Sequence, residues 1–183
     1  MSRPAILLDR DGTLNVRPAP HQYVTRAEDF VWLPGVPEAL ARLRREGFVL
    51  GVVSNQRGVA RGLVDPGVLV AIERRIQEAL EPFGTRIDGF RYCPHDLDAH
   101  CGCRKPQPGL LHMLEADLDL DLSSSWMVGD TASDIAAGIA AGCRTALVGG
   151  HASSPAPDLL VPSFNAFVDA LLGTPAIPRV HSG

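Results

Sequence analysis

Residues 5–13 read Ala-Ile-Leu-Leu-Asp-Arg-Asp-Gly-Thr, which is an apolar run followed at once by an acidic loop. A short apolar run bounded by turn residues is typical of a buried strand. Because side chains alternate along a strand, Asp9 and Asp11 can point to the same side, with Arg10 turned away. The stretch therefore predicts a buried first strand with two carboxylates at its carboxyl end.

Further apolar runs alternate with helical patterns along the chain. A parallel sheet covered by helices on both faces is typical of such alternation, so we predict an α/β, Rossmann-like fold. In the second helix we expect Val70, Ile72, Ile76 and Leu80 to form the buried face. The predicted strands cover residues 5–8, 48–53, 126–128, 145–148 and 158–161, and the predicted helices cover 37–46, 65–83, 110–116, 135–141 and 165–172.

The chain of 183 residues is long enough to bury one self-sufficient core. We expect a single domain over residues 1–173, without a large cap domain. Residues 174–183 show no periodicity and contain two prolines, so an irregular tail is expected there. In sheets of this kind the functional site lies at the carboxyl ends of the strands.

The composition argues against several classes of partner. The net charge is −4, and aromatic residues make up only 5% of the chain, which is untypical of nucleic-acid binding. No apolar stretch approaches the ~18 residues of a membrane span, and no signal-peptide pattern is visible at the start. Four cysteines do not make a disulfide scaffold. We expect a cytoplasmic monomer that binds neither nucleic acid nor membrane.

A second acidic pair follows a later strand. Asp130 comes directly after the strand at 126–128, and Asp134 lies at the next helix start. Carboxylates that converge from separate strands repel one another unless a cation lies among them, and Mg²⁺ suits such a donor set. Beside a metal, one aspartate can attack phosphorus and another can transfer the proton. The alternative is that these are ordinary turn residues.

Polar residues after the second strand could bind phosphate. Ser54 and Asn55 offer a hydroxyl and amide donors, and the loop that follows carries Arg57 and Arg61. An anionic substrate needs such a local positive field, because the net charge supplies no long-range attraction. The alternative is a polar loop that caps a helix.

Lys105 is the only lysine among seventeen basic residues, and Arg104 precedes it. Since arginine serves everywhere else, a compact ammonium is indicated at position 105 rather than a planar guanidinium. Stabilising phosphoryl oxygens beside Asp9 is such a function. Arg104 could bind substrate as well, or form a surface ion pair.

Three cysteines and a histidine occur in two short arms within residues 93–103. Three thiolates and one imidazole make a closed, structural Zn²⁺ site, which would hold a loop with little apolar content. His100 is a weaker alternative as the imidazole, and unrelated reduced cysteines are the other interpretation. The expected ligands are Cys93, His95, Cys101 and Cys103. Because the cluster ends just before Lys105, zinc is expected to set the position of that lysine.

These pieces together resemble the haloacid dehalogenase superfamily of phosphatases. The matching motifs are the stretch 9–13, the strand end at Ser54-Asn55, Lys105, and Gly129-Asp130-x-x-x-Asp134. The resemblance implies that Asp9 is the nucleophile, which forms an aspartyl-phosphate, that Asp11 is the general acid and base, and that Ser54 and Lys105 bind phosphate. It also implies an Mg²⁺ site formed by Asp9, the Asp11 carbonyl and Asp130, with Asp134 in support.

The cysteine-rich loop narrows the resemblance to small members that act on heptose bisphosphates or on histidinol phosphate. Asn15 and the segments 21–24 and 55–62 look more like the heptose branch, whereas five residues between the zinc arms is the spacing common in the histidinol branch. We expect a small phosphorylated sugar, a heptose bisphosphate, as substrate, with histidinol phosphate as the alternative.

Two alternatives belong to other classes of protein. A receiver-type signalling domain shares the parallel sheet, the carboxylates and the lysine, but it needs its phosphorylated aspartate in the middle of the sheet and leaves the zinc ligands unexplained. A zinc-stabilised module could instead bind phosphosugars without any chemistry. Steady release of phosphate from an ester would exclude both.

Overall fold

The computed structural model describes residues 2–150 and 154–173, so the tail expected at 174–183 lies outside the described residues. The described chain forms one parallel sheet in the order β3-β2-β1-β4-β5-β6. The strands are β1 (Ala5–Leu8), β2 (Val49–Asn55), β3 (Gly89–Cys93), β4 (Trp126–Gly129), β5 (Arg144–Val148) and β6 (Leu159–Val161). The helices are α1 (Val36–Arg45), α2 (Pro66–Leu80), α3 (Gly109–Leu118), α4 (Ala132–Ala140) and α5 (Phe164–Leu172).

Each face of the sheet packs against its own set of helices. In β1, Ile6 and Leu8 belong to an apolar cluster that includes buried residues of α1, α2 and α5. Ala5 and Leu7 belong to a second cluster that includes residues of α3 and α4. Strands that are buried on both faces are expected to be apolar throughout, as these are. The predicted α/β fold with helices on both faces is confirmed.

Strand β3 is the one strand of the described chain that the sequence did not predict. It lies at the edge of the sheet and pairs with β2 from Gly51 opposite Gly89 to Asn55 opposite Cys93. Four of its five residues are only half-buried, and they include Arg91 and a glycine, so no apolar run marks it. The strand ends at Cys93, the first of the predicted zinc ligands.

The buried face of α2 differs from the prediction by one residue. Leu69, Ile72, Ile76 and Leu80 are buried, whereas Val70 is 64% exposed. Residues 70 and 72 lie two apart, about 200° around a helix, so they cannot share one face. The prediction that Val70 belongs to the core is wrong.

The acidic residues that follow β1 and β4 lie side by side at the carboxyl edge of the sheet. These strands are neighbours in the middle of the sheet, and the Asp9 amide donates to the Val128 carbonyl at 2.9 Å. Asp9 therefore follows the third strand of six. That is the central position required by the receiver-type alternative, so sheet position does not separate the two classes.

The connection between β1 and α1, residues 9–35, is a long excursion from the sheet. Its first and last parts are joined by a β-bridge between Asn15 and Trp32 and by a hydrogen bond of 2.8 Å from the Val16 amide to the Val31 carbonyl. Within the described ranges the connections contain no helix beyond single 3-10 turns, so they build no separate cap. The 3-10 turns are Ala27–Asp29, Glu81–Phe83, Leu97–Ala99 and Leu122–Ser124.

Among the described helices, none has the length and apolar character required to cross a bilayer.

Candidate active site

A cleft of about 480 Å³ opens at the carboxyl edge of the sheet. It is lined by residues that follow β1 and β4, by residues at the end of β2, by Arg104 and Lys105, and by the segment 17–24, which we call the cleft loop. Of the residues predicted to act on substrate, Asp9, Asp11, Ser54, Asn55, Arg104 and Lys105 line this cleft. Arg57 and Arg61 are not among its lining residues.

The Lys105 ammonium is enclosed by three oxygen atoms. Its Nζ lies 2.8 Å from Asp9 Oδ1, 2.6 Å from Asp134 Oδ1 and 2.7 Å from the Val53 carbonyl oxygen. The contacts with Asp9 and with the Val53 carbonyl are hydrogen bonds, and the contact with Asp134 is an ion pair. Burial alone would lower the pKa of Lys105, but the attraction of Asp134 and Asp9 raises it above its usual value. The lysine is therefore charged at neutral pH.

Asp9, which pairs with Lys105, is also buried. Burial raises the pKa of this carboxyl to about 6, although Lys105 counteracts the shift. At neutral pH the group is therefore ionised, with little water around it. A desolvated carboxylate held in place by an ammonium is suited to nucleophilic attack.

Arg10 is not turned away from Asp11, so that prediction is wrong. Its guanidinium is fully buried and donates to both carboxylate oxygens, with Nη2 2.8 Å from Oδ2. Because β1 ends at Leu8, the alternation of a strand no longer applies at position 10. Asn15 and Gln56 each donate a further hydrogen bond of 2.9 Å to Asp11.

These donors decide the charge of Asp11. Burial would raise the pKa of this carboxyl, but the Arg10 guanidinium and the bonds from Asn15 and Gln56 lower it below the usual value. Asp11 is therefore an anion in this structure. Gln56 also donates to Ser54 Oγ at 3.0 Å, so one amide joins the two groups.

The carboxylates of Asp9, Asp130 and Asp134 converge within 4.8 Å of one another. Close approach requires a glycine beside them, because a Cβ at Gly12, where φ is +98°, would lie 1.9 Å from Asp130 Oδ2. Burial raises the pKa of Asp130 even though Arg17 counteracts it. Oxygen donors in such a cluster suit Mg²⁺, so the donor set fits this ion. The Asp11 side chain is not part of the cluster.

Arg17 completes the charge balance of the carboxylates, and the sequence did not indicate it. Its Nε donates to Asp130 Oδ2 at 2.8 Å, its Nη2 contacts Asp130 Oδ1, and Nη2 lies 4.0 Å from Asp9 Oδ2. The guanidinium takes a position where the carboxylates attract a cation. No sequence pattern marks Arg17, since it lies in a proline-rich segment and its partner is 113 residues away.

Asn55 holds the backbone of Lys105 rather than offering a free amide. Its Nδ2 donates to the Lys105 carbonyl oxygen at 3.0 Å, and its Oδ1 accepts from the Lys105 amide at 3.0 Å. Two bonds across 50 residues of chain fix where the lysine enters the cleft. Ser54, by contrast, is buried in the lining with its hydroxyl bonded to Gln56.

Arg57 and Arg61 lie beside the cleft and bind the cysteine-rich loop. Arg57 Nε is 3.5 Å from Asp96 Oδ1, and Arg61 Nε is 4.0 Å from Asp96 Oδ2. A hydrogen bond from Arg57, together with Arg61, lowers the pKa of the Tyr23 hydroxyl, and Tyr23 lines the cleft. The two arginines therefore influence the cleft through Tyr23.

The four predicted zinc ligands converge at the carboxyl end of β3. Cys101 Sγ lies 3.6 Å from Cys93 Sγ and 3.5 Å from Cys103 Sγ. The nitrogen Nδ1 of His95 lies 3.2 Å from Cys103 Sγ and 3.6 Å from Cys93 Sγ. A tetrahedron with Zn–S bonds of about 2.3 Å has edges of about 3.8 Å, so the group needs little adjustment to hold Zn²⁺.

Comparison with known proteins gives one partial match to a family model and several matches that span most of the chain. Residues 102–170 match the family described as HAD-hydrolase-like. The D-glycero-beta-D-manno-heptose-1,7-bisphosphate 7-phosphatase of Pseudomonas aeruginosa is 38% identical over 148 residues, which cover 81% of this chain and 82% of the relative. The D-glycero-alpha-D-manno-heptose-1,7-bisphosphate 7-phosphatase of Mycobacterium bovis is 38% identical over 172 residues, 91% of this chain and 90% of the relative.

A solved structure agrees with the curated relatives. The crystal structure of D,D-heptose 1,7-bisphosphate phosphatase from B. bronchiseptica, complexed with magnesium and phosphate, matches with a TM-score of 0.84 and 32% identity. The match covers 93% of this chain and 98% of that protein.

A parallel sheet with this cleft at its carboxyl edge, shared with named phosphatases over most of the chain, defines an α/β phosphatase. More specifically, the chain belongs to the haloacid dehalogenase superfamily, whose phosphatases use Mg²⁺. The resemblance inferred from the motifs is confirmed. This assignment also separates the chain from receiver-type signalling domains, which the central position of Asp9 alone did not.

Proposed function

We propose that the protein is a phosphatase that removes the 7-phosphate of D-glycero-D-manno-heptose 1,7-bisphosphate through an aspartyl-phosphate. The observation that carries this proposal is the buried triad of Asp9, Lys105 and Asp134, of which Asp9 and Lys105 line the cleft. The substrate is inferred from the relatives, which are 38% identical over most of the chain and are named for this activity.

In the first step an Asp9 carboxylate oxygen attacks phosphorus and the bond from phosphorus to the sugar oxygen breaks. Asp11 transfers a proton to the departing oxygen, so it has to enter this step as the protonated acid, whereas the structure favours its anion. The Lys105 ammonium lies 2.8 Å from Asp9 Oδ1 and so balances negative charge that develops on the phosphoryl oxygens. The Ser54 hydroxyl, in the cleft lining, offers those oxygens a further hydrogen bond.

In the second step water attacks the phosphorus of the aspartyl-phosphate and the bond to Asp9 breaks. Asp11 accepts the proton that water loses. The structure holds Asp11 as an anion through Arg10, Asn15 and Gln56, which is the protonation state that this step requires. Inorganic phosphate leaves, and both aspartates return to their initial state.

Mg²⁺ would be held by Asp9, Asp130 and the Asp11 carbonyl, with Asp134 in support. When bound, the ion supplies positive charge that neutralises phosphate oxygens and holds them in place for attack. The carboxylates that converge within 4.8 Å support this assignment.

Zn²⁺ would be held by Cys93, His95, Cys101 and Cys103, with no ligand position left for water. Its contribution is structural, because the ligands close the loop that leads directly into Lys105. The distances of 3.2 to 3.6 Å between ligand atoms support this site.

The substrate would lie in the cleft with its sugar against the cleft loop. Arg104 lines the cleft and is proposed to contact the substrate directly. Arg57 and Arg61 add positive charge beside Tyr23 and act on the substrate from there. Histidinol phosphate is the second candidate, favoured only by the five residues between the zinc arms.

The test is to compare kcat/KM, with Mg²⁺ present, for both anomers of the heptose bisphosphate, for fructose 1,6-bisphosphate and for histidinol phosphate. We expect one heptose anomer to lead the other compounds by about tenfold or more, the scale of a few well-placed contacts. An Asp9→Asn variant should be inactive on every compound. A lead for histidinol phosphate would reject the proposed substrate, and a single turnover or binding without turnover would reject phosphatase function.

A further inference from the structure

The guanidinium of Arg17 lies where the carboxylate cluster attracts a cation. It binds both oxygens of Asp130 and lies 4.0 Å from Asp9 Oδ2. Two cations cannot occupy the same space between these carboxylates. A divalent ion held by Asp9 and Asp130 therefore has to compete with the Arg17 side chain.

Nothing else in the described structure locks the Arg17 side chain in place. The side chain is 48% exposed, and every contact recorded for its guanidinium is to Asp130 or Asp9. A divalent ion carries twice the charge of the guanidinium, and water can solvate the half-exposed arginine once it leaves, so the ion can displace it. Lys105 differs in this respect, since it is buried among three acceptors.

A displaced Arg17 has one obvious new partner. It belongs to the cleft loop, so its side chain lines the space that the substrate enters. The phosphorus that Asp9 attacks would lie within a few ångströms of the present guanidinium position. A planar guanidinium matches two phosphate oxygens as well as it matches a carboxylate.

We propose that Arg17 exchanges one anion for another during the reaction: it pairs with Asp130 in the metal-free protein and with a phosphate group of the substrate once Mg²⁺ is bound. The proposal rests on the proposed metal-dependent chemistry. Arg17 thus restrains the carboxylates before the metal arrives and contacts the substrate afterwards.

The first measurement is the affinity for Mg²⁺, by calorimetry on the metal-free protein. We expect Arg17→Ala to bind Mg²⁺ about three- to tenfold more tightly than the parent, because the competing cation is removed. Arg26→Ala is the matched control, since Arg26 lies in the same excursion, is exposed and pairs only with Glu28 among the described residues. The control should match the parent. An unchanged or weaker affinity in Arg17→Ala would overturn the proposal.

The second measurement is the binding of inorganic phosphate at saturating Mg²⁺. Arg17→Ala should bind phosphate about tenfold more weakly than the parent, and Arg17→Lys should fall between them because it keeps the charge without the planar fork. Equal affinity in all variants would overturn the exchange. Both measurements are binding constants of folded protein, so they hold whichever phosphate ester proves to be the substrate, and failure of the heptose assay would not affect them.

Discussion

Two hydrogen bonds and an ion pair hold the Lys105 ammonium in one position, which is more than balancing a negative charge requires. Lys105 Nζ lies between 2.6 and 2.8 Å from oxygens of Asp9, Asp134 and Val53, and the residue is only 3% exposed. The side chain therefore arranges the two carboxylates as well as balancing them. Both the compact shape and the positive charge of the Lys105 ammonium therefore matter at this position.

Replacing Lys105 with arginine separates shape from charge. Lys105→Arg should lower kcat/KM by about a hundredfold or more, because a planar fork cannot place donors on all three oxygens in this buried space. The assay is steady-state hydrolysis of the substrate, with circular dichroism to show that the variant is folded. Turnover close to that of the parent would show that charge alone suffices.

At the residue scale, the sequence predicts groups that follow strands and misses groups that reach the site from elsewhere. Asp9, Ser54 and Asp130 lie directly after apolar runs, which is why they could be named in advance. Arg17 lies in an excursion without periodicity, and only the fold brings it to a partner 113 residues away. The predicted orientation of Arg10 is wrong because β1 ends at Leu8, so the alternation of side chains along a strand does not extend to position 10.

The loop at residues 93–103 carries the four proposed zinc ligands. It follows an edge strand and contains a single 3-10 turn, Leu97–Ala99, none of whose residues is buried. Such a segment has little apolar surface to fold around, so a metal bound to the proposed ligands would supply free energy that orders it. Its last ligand, Cys103, lies two residues before Lys105.

Removing zinc should therefore impair catalysis from a distance. We expect a zinc chelator to lower kcat, excess Mg²⁺ to leave the loss in place, and added Zn²⁺ to restore activity. Elemental analysis should find about one zinc ion per chain in the parent and in Cys143→Ala, because Cys143 is a buried core residue outside the cluster. Cys101→Ser should lose the metal. A Cys101→Ser protein with full zinc content would show that the cluster is not the zinc site.

Helix α2 offers a matched pair of neighbouring residues with opposite environments. Leu69→Ala should lower the free energy of unfolding by about 2 to 3 kcal/mol, because Leu69 is 7% exposed and its truncation leaves a cavity. Val70→Ala should change it by less than about 0.5 kcal/mol, since Val70 is 64% exposed. Urea unfolding of both variants measures the difference. Equal losses would contradict the assigned buried face.

Elements were predictable in proportion to their burial. Five strands and five helices were located to within a few residues, because a strand covered on both faces is apolar throughout and helix ends carry capping signals. Strand β3 was not predicted because an edge strand buries little apolar surface, and Gly89 and Arg91 interrupt its apolar residues. Helix α4 begins three residues earlier than predicted, at Ala132, because Thr131 and Asp134 form a capping box in which the Thr131 amide donates to Asp134 Oδ2 at 3.0 Å.

At the scale of the whole molecule, the two apolar clusters close both faces of the sheet within one chain. The edge strands are short, with five residues in β3 and three in β6, so they offer little backbone to a second sheet. We expect light scattering to give the mass of a single chain at micromolar concentration. A mass of two chains that persists on dilution would contradict this prediction.

The bond from the Asp9 amide to the Val128 carbonyl makes the reaction centre an extension of the sheet, whereas the cleft loop belongs to an excursion outside it. The sheet therefore positions the proposed nucleophile, whereas residues 18–24, which would contact the sugar, are positioned by the excursion. Evolution can revise residues 18–24 to admit a different ester while Arg17, which pairs with Asp130, and the strands keep the carboxylate cluster unchanged. For the same reason, a designer who wants a new phosphatase from this scaffold should randomise residues 18–24, keep Arg17 and leave the strands alone.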